Sequence, residues 1–273
     1  CQYPCWAREL ATRFKRLPST GNWWDVEPIK IEKEGSLGAP IYDLGSTVML
    51  EALGSKKPKT ILLSATCDPY PPIEEKLRLT RNILVGLLEA QQERTSVVVR
   101  HDRPRPFKYE RHKILILTKS DLVLRDWELL KVLDAQVGFT ITAPSGVDTK
   151  PWEPYAPSNT ERIKALRTLH GQGIKTWVSI EPWLIVSRTY NDPDSPDGKS
   201  SYLFDITQPI RIIEETKDFV DLYIVGTLNW AGKPRKELIP FYQQELPLVV
   251  SALQRSGKPF WVKPELAALK ETL

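Results

Sequence analysis

Cysteine is scarce in this chain. Three in 273 residues cannot build a disulfide framework, so a reducing, cytoplasmic setting is the expectation. Histidine is as rare, and His101, His112 and His170 have no metal-type spacing. No apolar run approaches the ~18 residues of a membrane span, and no signal peptide is visible. The Gly-rich phosphate loop and the Gly-x-Ser-x-Gly nucleophile elbow are both missing. Asp192, Asp194 and Asp197 imitate a calcium loop, but prolines interrupt it, and the position that needs a bidentate glutamate is Leu203.

What is present is ordinary for a globular protein: 41% hydrophobic and 26% charged residues. The length suits one large α/β domain or two small ones. The net charge of +4 is local. Arg100 to Lys113 carries six basic and two acidic residues, which leaves thirty-two of each sign elsewhere. Any attraction for polyanions would therefore come from that stretch, not from a global field. Phe107 and Tyr109 among Arg103, Arg105, Lys108 and Arg111 fit a surface that stacks on nucleic acid and neutralises it. A solvated linker is the commoner reading of such a stretch.

Periodicity sets the order of elements. Trp6, Leu10 and Phe14 lie on one face of a short helix over 6–16, and residues 43–53 suit a short helix or turn. Thr60 to Ser64 is a buried apolar strand, followed by a helix from near Ile73 with Leu77, Thr80, Leu84 and Leu88 at helical spacing. Strands are expected at Ile114–Leu117, Val137–Thr142, Thr176–Ile180 and Leu222–Gly226, with helices at Trp127–Leu133, from a Ser158 or Asn159 cap to Gly171, at Ile206–Glu215 and at Ile239–Arg255. Thr189 to Ser201 reads as a polar loop. Strand, polar loop, helix, strand, repeated five times, implies a parallel sheet with right-handed crossovers. A doubly wound sheet and a βα-barrel both satisfy that alternation.

Three motifs carry chemistry. Cys1-Gln2-Tyr3-Pro4-Cys5-Trp6-Ala7-Arg8 holds two of the three cysteines. Ser64-Ala65-Thr66-Cys67-Asp68-Pro69-Tyr70, with Glu74 and Leu79-Thr80-Arg81, follows the first legible strand. Leu117-Thr118-Lys119-Ser120 ends the next. Together they resemble the radical S-adenosylmethionine (SAM) superfamily, in particular the subgroup related to spore photoproduct lyase. The cysteine stretch is similar to that family's C-x3-C-x2-C-aromatic cluster loop, with one residue too many between Cys1 and Cys5. In the preferred register Cys5 is the third family cysteine and Cys1 the second, and the first lies upstream of residue 1. A Cys1–Cys5 disulfide is the plain alternative.

The resemblance implies a partial (β/α)6 TIM-type barrel of parallel strands whose first strand precedes the chain. It implies one domain, with its core over about 1–230 and a C-terminal helix and tail over 231–273. The implied cofactors are a [4Fe–4S] cluster, with Cys1 and Cys5 as iron ligands, and SAM. Three thiolates leave one iron open for SAM, which four would close. Trp6 stands at the family's aromatic position beside the cofactors. Ser64, Thr66 and Asp68 match the strand end that receives the SAM amino group. Lys119 matches a carboxylate contact, and Thr140 and Thr142 the ribose and carboxylate side. Ser179, with Glu181, Gly226, Thr227 and Asn229, falls where substrate or adenine would sit. Cys67 lies near the position of a hydrogen donor, although a buried inert thiol reads the same way. The implied partners are an electron donor such as a ferredoxin or flavodoxin, a substrate of unknown class that includes nucleic acid among its candidates, and no membrane. Lysines at strand ends and threonines in cores are also common without any ligand.

Overall fold

In a computed structural model, the structure describes residues 48–49, 52, 57–63, 68–100, 111–150, 153–183, 185–190, 200–204, 207–227, 229–230, 233–234 and 238–269. Among these, six strands form one sheet: β1 (Thr60–Leu63), β2 (Lys113–Thr118), β3 (Gln136–Thr140), β4 (Lys175–Ile180), β7 (Leu222–Val225) and β10 (Phe260–Val262). They are parallel and ordered β1-β2-β3-β4-β7-β10, with helices in the connections. The fold class is the expected partial α/β barrel of TIM type.

The chain divides into two compact units. The first lies within Ala7–Val137 and includes Gly171–Lys175. It holds β1, the helices α1 (Glu74–Leu77), α2 (Leu79–Arg100) and α3 (Trp127–Val132), and β2. β1 and β2 pair in parallel from Thr60↔Lys113 to Leu63↔Ile116. Ile114, Ile116 and Thr118 of β2 are buried, whereas Leu62 of β1 stays 48% exposed. A single helix starting near Ile73 was expected here, but the chain breaks it at Arg78, whose φ is 52°. The cause is Glu74. Its Oε1 accepts from the backbone N–H groups of Thr80 (3.1 Å) and Arg81 (3.3 Å), and so caps a new helix. A 3-10 turn over Asp121–Asp126 precedes α3, started by the Ser120 hydroxyl accepting from Leu122 N.

The second unit includes Gly138–His170 and Thr176–Leu273. Its helices are α4 (Asn159–Gly171), α5 (Thr207–Thr216), α6 (Ile239–Ser256) and α7 (Pro264–Ala267). Ser158 and Glu161 form a reciprocal cap on α4: Glu161 Oε2 accepts from Ser158 N at 2.7 Å, and Ser158 Oγ accepts from Glu161 N at 3.3 Å. β4 is buried at every position after Lys175, as a central parallel strand should be. Trp177 of β4 lies flat against Gly138 of β3. A Cβ on Gly138 would come within 2.2 Å of the indole, so only glycine fits there.

Two features of this unit depart from the expectation. Ile185–Tyr190 (β5) and Ser200–Phe204 (β6) form an antiparallel pair that takes in only the two ends of the expected polar loop, Thr189–Tyr190 and Ser200–Ser201; the rest of that loop, with Asp192, Asp194 and Asp197, lies outside the described residues. The presumed C-terminal tail contributes β10, which pairs with β7 from Phe260↔Tyr223 to Val262↔Val225. The sixth strand of the described sheet thus comes from residues beyond the last expected helix. A short antiparallel pair, β8 (Asn229–Trp230) with β9 (Lys233–Pro234), completes the elements.

Candidate functional site

The polar residues singled out in the sequence collect just past the C-terminal ends of the strands, where parallel α/β folds bind ligands. Three clusters stand there, two closed by their own hydrogen bonds and one more open.

Past β1 and β2, Asp68 is the centre. Its Oδ1 accepts from Thr118 Oγ1 at 2.6 Å and from Tyr70 N at 2.9 Å, and its Oδ2 accepts from Lys119 N at 2.7 Å. The carboxylate ties the segment that follows β1 to the last residues of β2. Thr118 Oγ1 also accepts from Ser120 N at 2.9 Å. The motif residues downstream belong to the same construction. Thr80 Oγ1 donates to the Pro69 carbonyl, and buried Glu74 caps α2. Arg125 donates to Glu74 Oε1 (2.9 Å), to the Glu74 carbonyl (3.0 Å) and to both oxygens of Asp126. Arg81 pairs with Asp126 as well, and the Asp126 side chain is fully buried. Burial first, and the charge of Asp126 second, drive the Tyr70 phenol far above its ordinary pKa and keep it neutral. Asp-Pro-Tyr, Glu and Leu-Thr-Arg are therefore one hydrogen-bonded unit rather than a string of separate contacts.

Past β3, the strand stops at Thr140, so Thr142 lies in the loop and not on the strand. Both threonines are buried. Thr142 Oγ1 donates to Glu153 Oε2 at 3.1 Å and accepts from Asn159 Nδ2 at 3.3 Å, while Thr142 N donates to Asn159 Oδ1. Arg162 donates to Glu153 Oε2 at 2.8 Å and to the Thr140 carbonyl at 3.0 Å. The side chains of Arg162 and Glu153 are 0% exposed. The Thr142 hydroxyl is thus engaged inside a sealed ion-pair cluster.

Past β4, β7 and β10 the geometry is more open. Ser179 is buried, and its carbonyl accepts from Ile141 N at 3.0 Å. Glu181 Oε2 pairs with Lys263 Nζ. Gly226 faces that carboxylate, and a Cβ there would lie 2.7 Å from Glu181 Cδ. Thr227 is 1% exposed, and its Oγ1 has no hydrogen-bond partner among the described residues. Behind these, Trp183 packs edge-on against Tyr242 (centroids 5.0 Å apart) and Phe241 (5.9 Å).

Of the sequence-derived site residues, Asp68, Lys119, Thr140, Thr142 and Ser179 are described, and Cys1, Cys5, Trp6, Ser64, Thr66 and Cys67 lie outside the described residues. Lys263, Asp126, Arg125, Glu153 and Arg162 escaped sequence reading. Lys263 was within reach, because Phe260-Trp261-Val262 after the Gly257-Lys258-Pro259 turn is a β-prone triplet. Among the described residues no three His, Cys, Asp or Glu side chains are grouped to hold a metal ion, so these residues do not supply a cluster's ligand set. The space that Gly226 leaves is taken by the Glu181 carboxylate, and the buried Thr227 hydroxyl beside it in sequence is a polar group still to be satisfied.

No family model matches the chain. An uncharacterized protein of Methanocaldococcus jannaschii, MJ0683, is 35% identical over 188 residues, which cover 68% of this chain and 56% of that protein. Among solved structures, Streptococcus suis SuiB bound to S-adenosylmethionine superposes with a TM-score of 0.51 at 12% identity, over 88% of this chain and 48% of SuiB. SuiB bound to its precursor peptide SuiA gives a TM-score of 0.51 at 11% identity, over 97% and 54%. The chain spans about half the length of the relatives it matches, and the likeness to SuiB is one of fold.

Proposed function

We propose that this chain is a radical SAM enzyme of the subgroup resembling spore photoproduct lyase, working in the cytoplasm with a ferredoxin or flavodoxin as electron donor. The observation that carries the reading is the construction around Asp68. The motif that resembles the subgroup in sequence is held by its own hydrogen bonds at the C-terminal ends of β1 and β2, in a fold like that of a protein solved with SAM bound.

Under this reading Cys1 and Cys5 are two of the cluster's ligands, with Trp6 beside them. The bound SAM and [4Fe–4S] cluster together supply reductive cleavage of a C–S bond and abstraction of a substrate hydrogen. The chain's own residues do the positioning. Asp68 joins Tyr70 to Thr118 and Lys119 at the end of β2, and Ser64 and Thr66 receive the SAM amino group through hydroxyls and carbonyls. Lys119 meets the carboxylate. Thr140, Thr142 and Ser179 line the ribose and adenine side, where Thr142 acts through the backbone it anchors because its hydroxyl is already taken. Cys67 is the candidate hydrogen donor. A nucleic-acid substrate is the second reading, favoured by the one basic stretch, Arg100 to Lys113.

The test is anaerobic reconstitution, with iron and sulfide, of the protein extended upstream of residue 1, followed by reduction and measurement of 5′-deoxyadenosine. The expected outcome is stoichiometric or greater release, lost in Cys1→Ala and Cys5→Ala. Undiminished release from both variants would end the proposal. Zinc without sulfide in the purified protein would favour a non-catalytic nucleic-acid or zinc-binding module instead.

A further inference from the structure

The registers at the sheet's last three strands place Ile180, Val225 and Val262 abreast. The next residue on each strand is Glu181, Gly226 and Lys263, an acid, a gap and a base in a row. Neighbouring strands lie ~4.8 Å apart, so the two charged side chains reach across the middle strand to meet. They do so over the glycine, where a Cβ would sit 2.7 Å from the Glu181 carboxyl carbon and 2.8 Å from Oε1. The backbone on either side is pinned: Gly226 N donates to the Ile180 carbonyl and Lys263 N to the Val225 carbonyl.

Stability does not account for this row. The pair is partly open to solvent, with Lys263 29% and Glu181 19% exposed, and open pairs contribute at most about 1 kcal/mol. A glycine at the end of a strand adds backbone entropy for the fold to overcome. The Arg162–Glu153 pair of the same unit has the opposite design, fully buried with further hydrogen bonds around it. The ammonium of Lys263 pairs with Glu181 and stays partly open to solvent, just past the end of β10, where this class of fold binds ligands.

We infer that Glu181 and Lys263 form a recognition site for an anionic group of the substrate, a carboxylate or phosphate flanked by a hydroxyl or amino donor. Lys263 contacts the anion. Glu181 accepts from the flanking donor and positions the ammonium, with Gly226 leaving room for the crossing. The assignment of the site to substrate, not to SAM, rests on the function proposed above; binding of an anion to the row does not.

Isothermal titration calorimetry with ribose 5-phosphate, which carries both groups, tests this. The native protein should bind it saturably in the millimolar range. Lys263→Met should weaken binding tenfold or more, Lys263→Arg should restore most of it, and Glu181→Gln should weaken it less than Lys263→Met does. Arg255→Met removes an exposed positive charge from α6 and should leave binding unchanged, and thermal melts run in parallel identify any variant that fails to fold. Lys263→Gln serves if Lys263→Met does not fold. No saturable binding by the native protein, undiminished binding by the folded Lys263 variant, or equal weakening by Arg255→Met would each overturn the site. Displacement of the sugar phosphate by SAM would overturn its assignment to substrate. Intact sugar-phosphate binding in protein that releases no 5′-deoxyadenosine would count against the radical SAM reading and leave the row standing.

Discussion

At the scale of single residues, the most informative atom is one the chain omits. Gly226 sits in a strand end with no turn that calls for glycine; what it accommodates is the Glu181 carboxylate. Gly226→Ala should therefore cost about 1–3 kcal/mol through a forced shift of that side chain. Adding Glu181→Ala to it should recover much of the loss, because the clash then has no second party. Chemical denaturation of the two single variants and the double variant closes the cycle, and additive losses would mean that the glycine serves its own backbone. Asp68 makes the complementary point. A carboxylate with three donors aimed at its two oxygens is occupied by the protein itself, so its contribution is to join Tyr70 to Thr118 and Lys119 at the end of β2.

At the scale of elements, helix starts are set by side chains that reach back. α4 begins with the Ser158–Glu161 exchange, and hydrogen bonds from the Ser158 hydroxyl and backbone hold the Glu161 carboxyl below its ordinary 4.5. A depressed folded-state pKa contributes stability above the unfolded value, and that contribution is lost as pH falls through the folded one. Ser158→Ala should cost about 1 kcal/mol near neutral pH. The difference between variant and native protein should shrink in acid, as pH falls through the lowered pKa and Glu161 protonates. Thermal melts from pH 7 to pH 3 measure both, and a gap that widens in acid would contradict the assignment. This cap was legible in the sequence, since Ser and Glu three residues apart ahead of an apolar pattern is a local signal. The break before α2 was not. Arg78 adopts a left-handed conformation that arginine does not advertise, and Glu74, readable only as a first-turn acid, becomes a cap through that bend. The long apolar strands β2 and β4 were plain for the opposite reason: β4 is buried on both faces and β2 on one with the other half-buried, so each reads as a continuous apolar run. β10 escaped because three residues are too few for a period. Lys263, the cation of the proposed recognition row, escaped with it.

At the scale of the whole molecule, charge is distributed in a way that makes the nucleic-acid reading testable. Outside Arg100 to Lys113 the acidic and basic residues balance, so no diffuse positive field draws a polyanion to the surface, and binding, where it occurs, must be concentrated. Duplex affinity falls with salt in proportion to the phosphates neutralised, with a slope of about 0.9 per contact. If Arg103, Arg105, Lys108 and Arg111 each meet one phosphate, replacing all four with glutamine should flatten the slope of log K against log salt by about 4. Near-physiological salt should then show an affinity lower by orders of magnitude. Fluorescence anisotropy of a labelled duplex across a salt series reads both quantities. Replacing four exposed lysines elsewhere, Lys131, Lys150, Lys164 and Lys175, removes the same charge from the balanced remainder and should change the slope far less. If the two quadruple variants behave alike, the field is diffuse after all and the stretch is a solvated linker. If only the first loses the slope, the polyanion is held by the fourteen residues from Arg100 to Lys113, and a phosphate becomes the natural anion for the site inferred at Lys263.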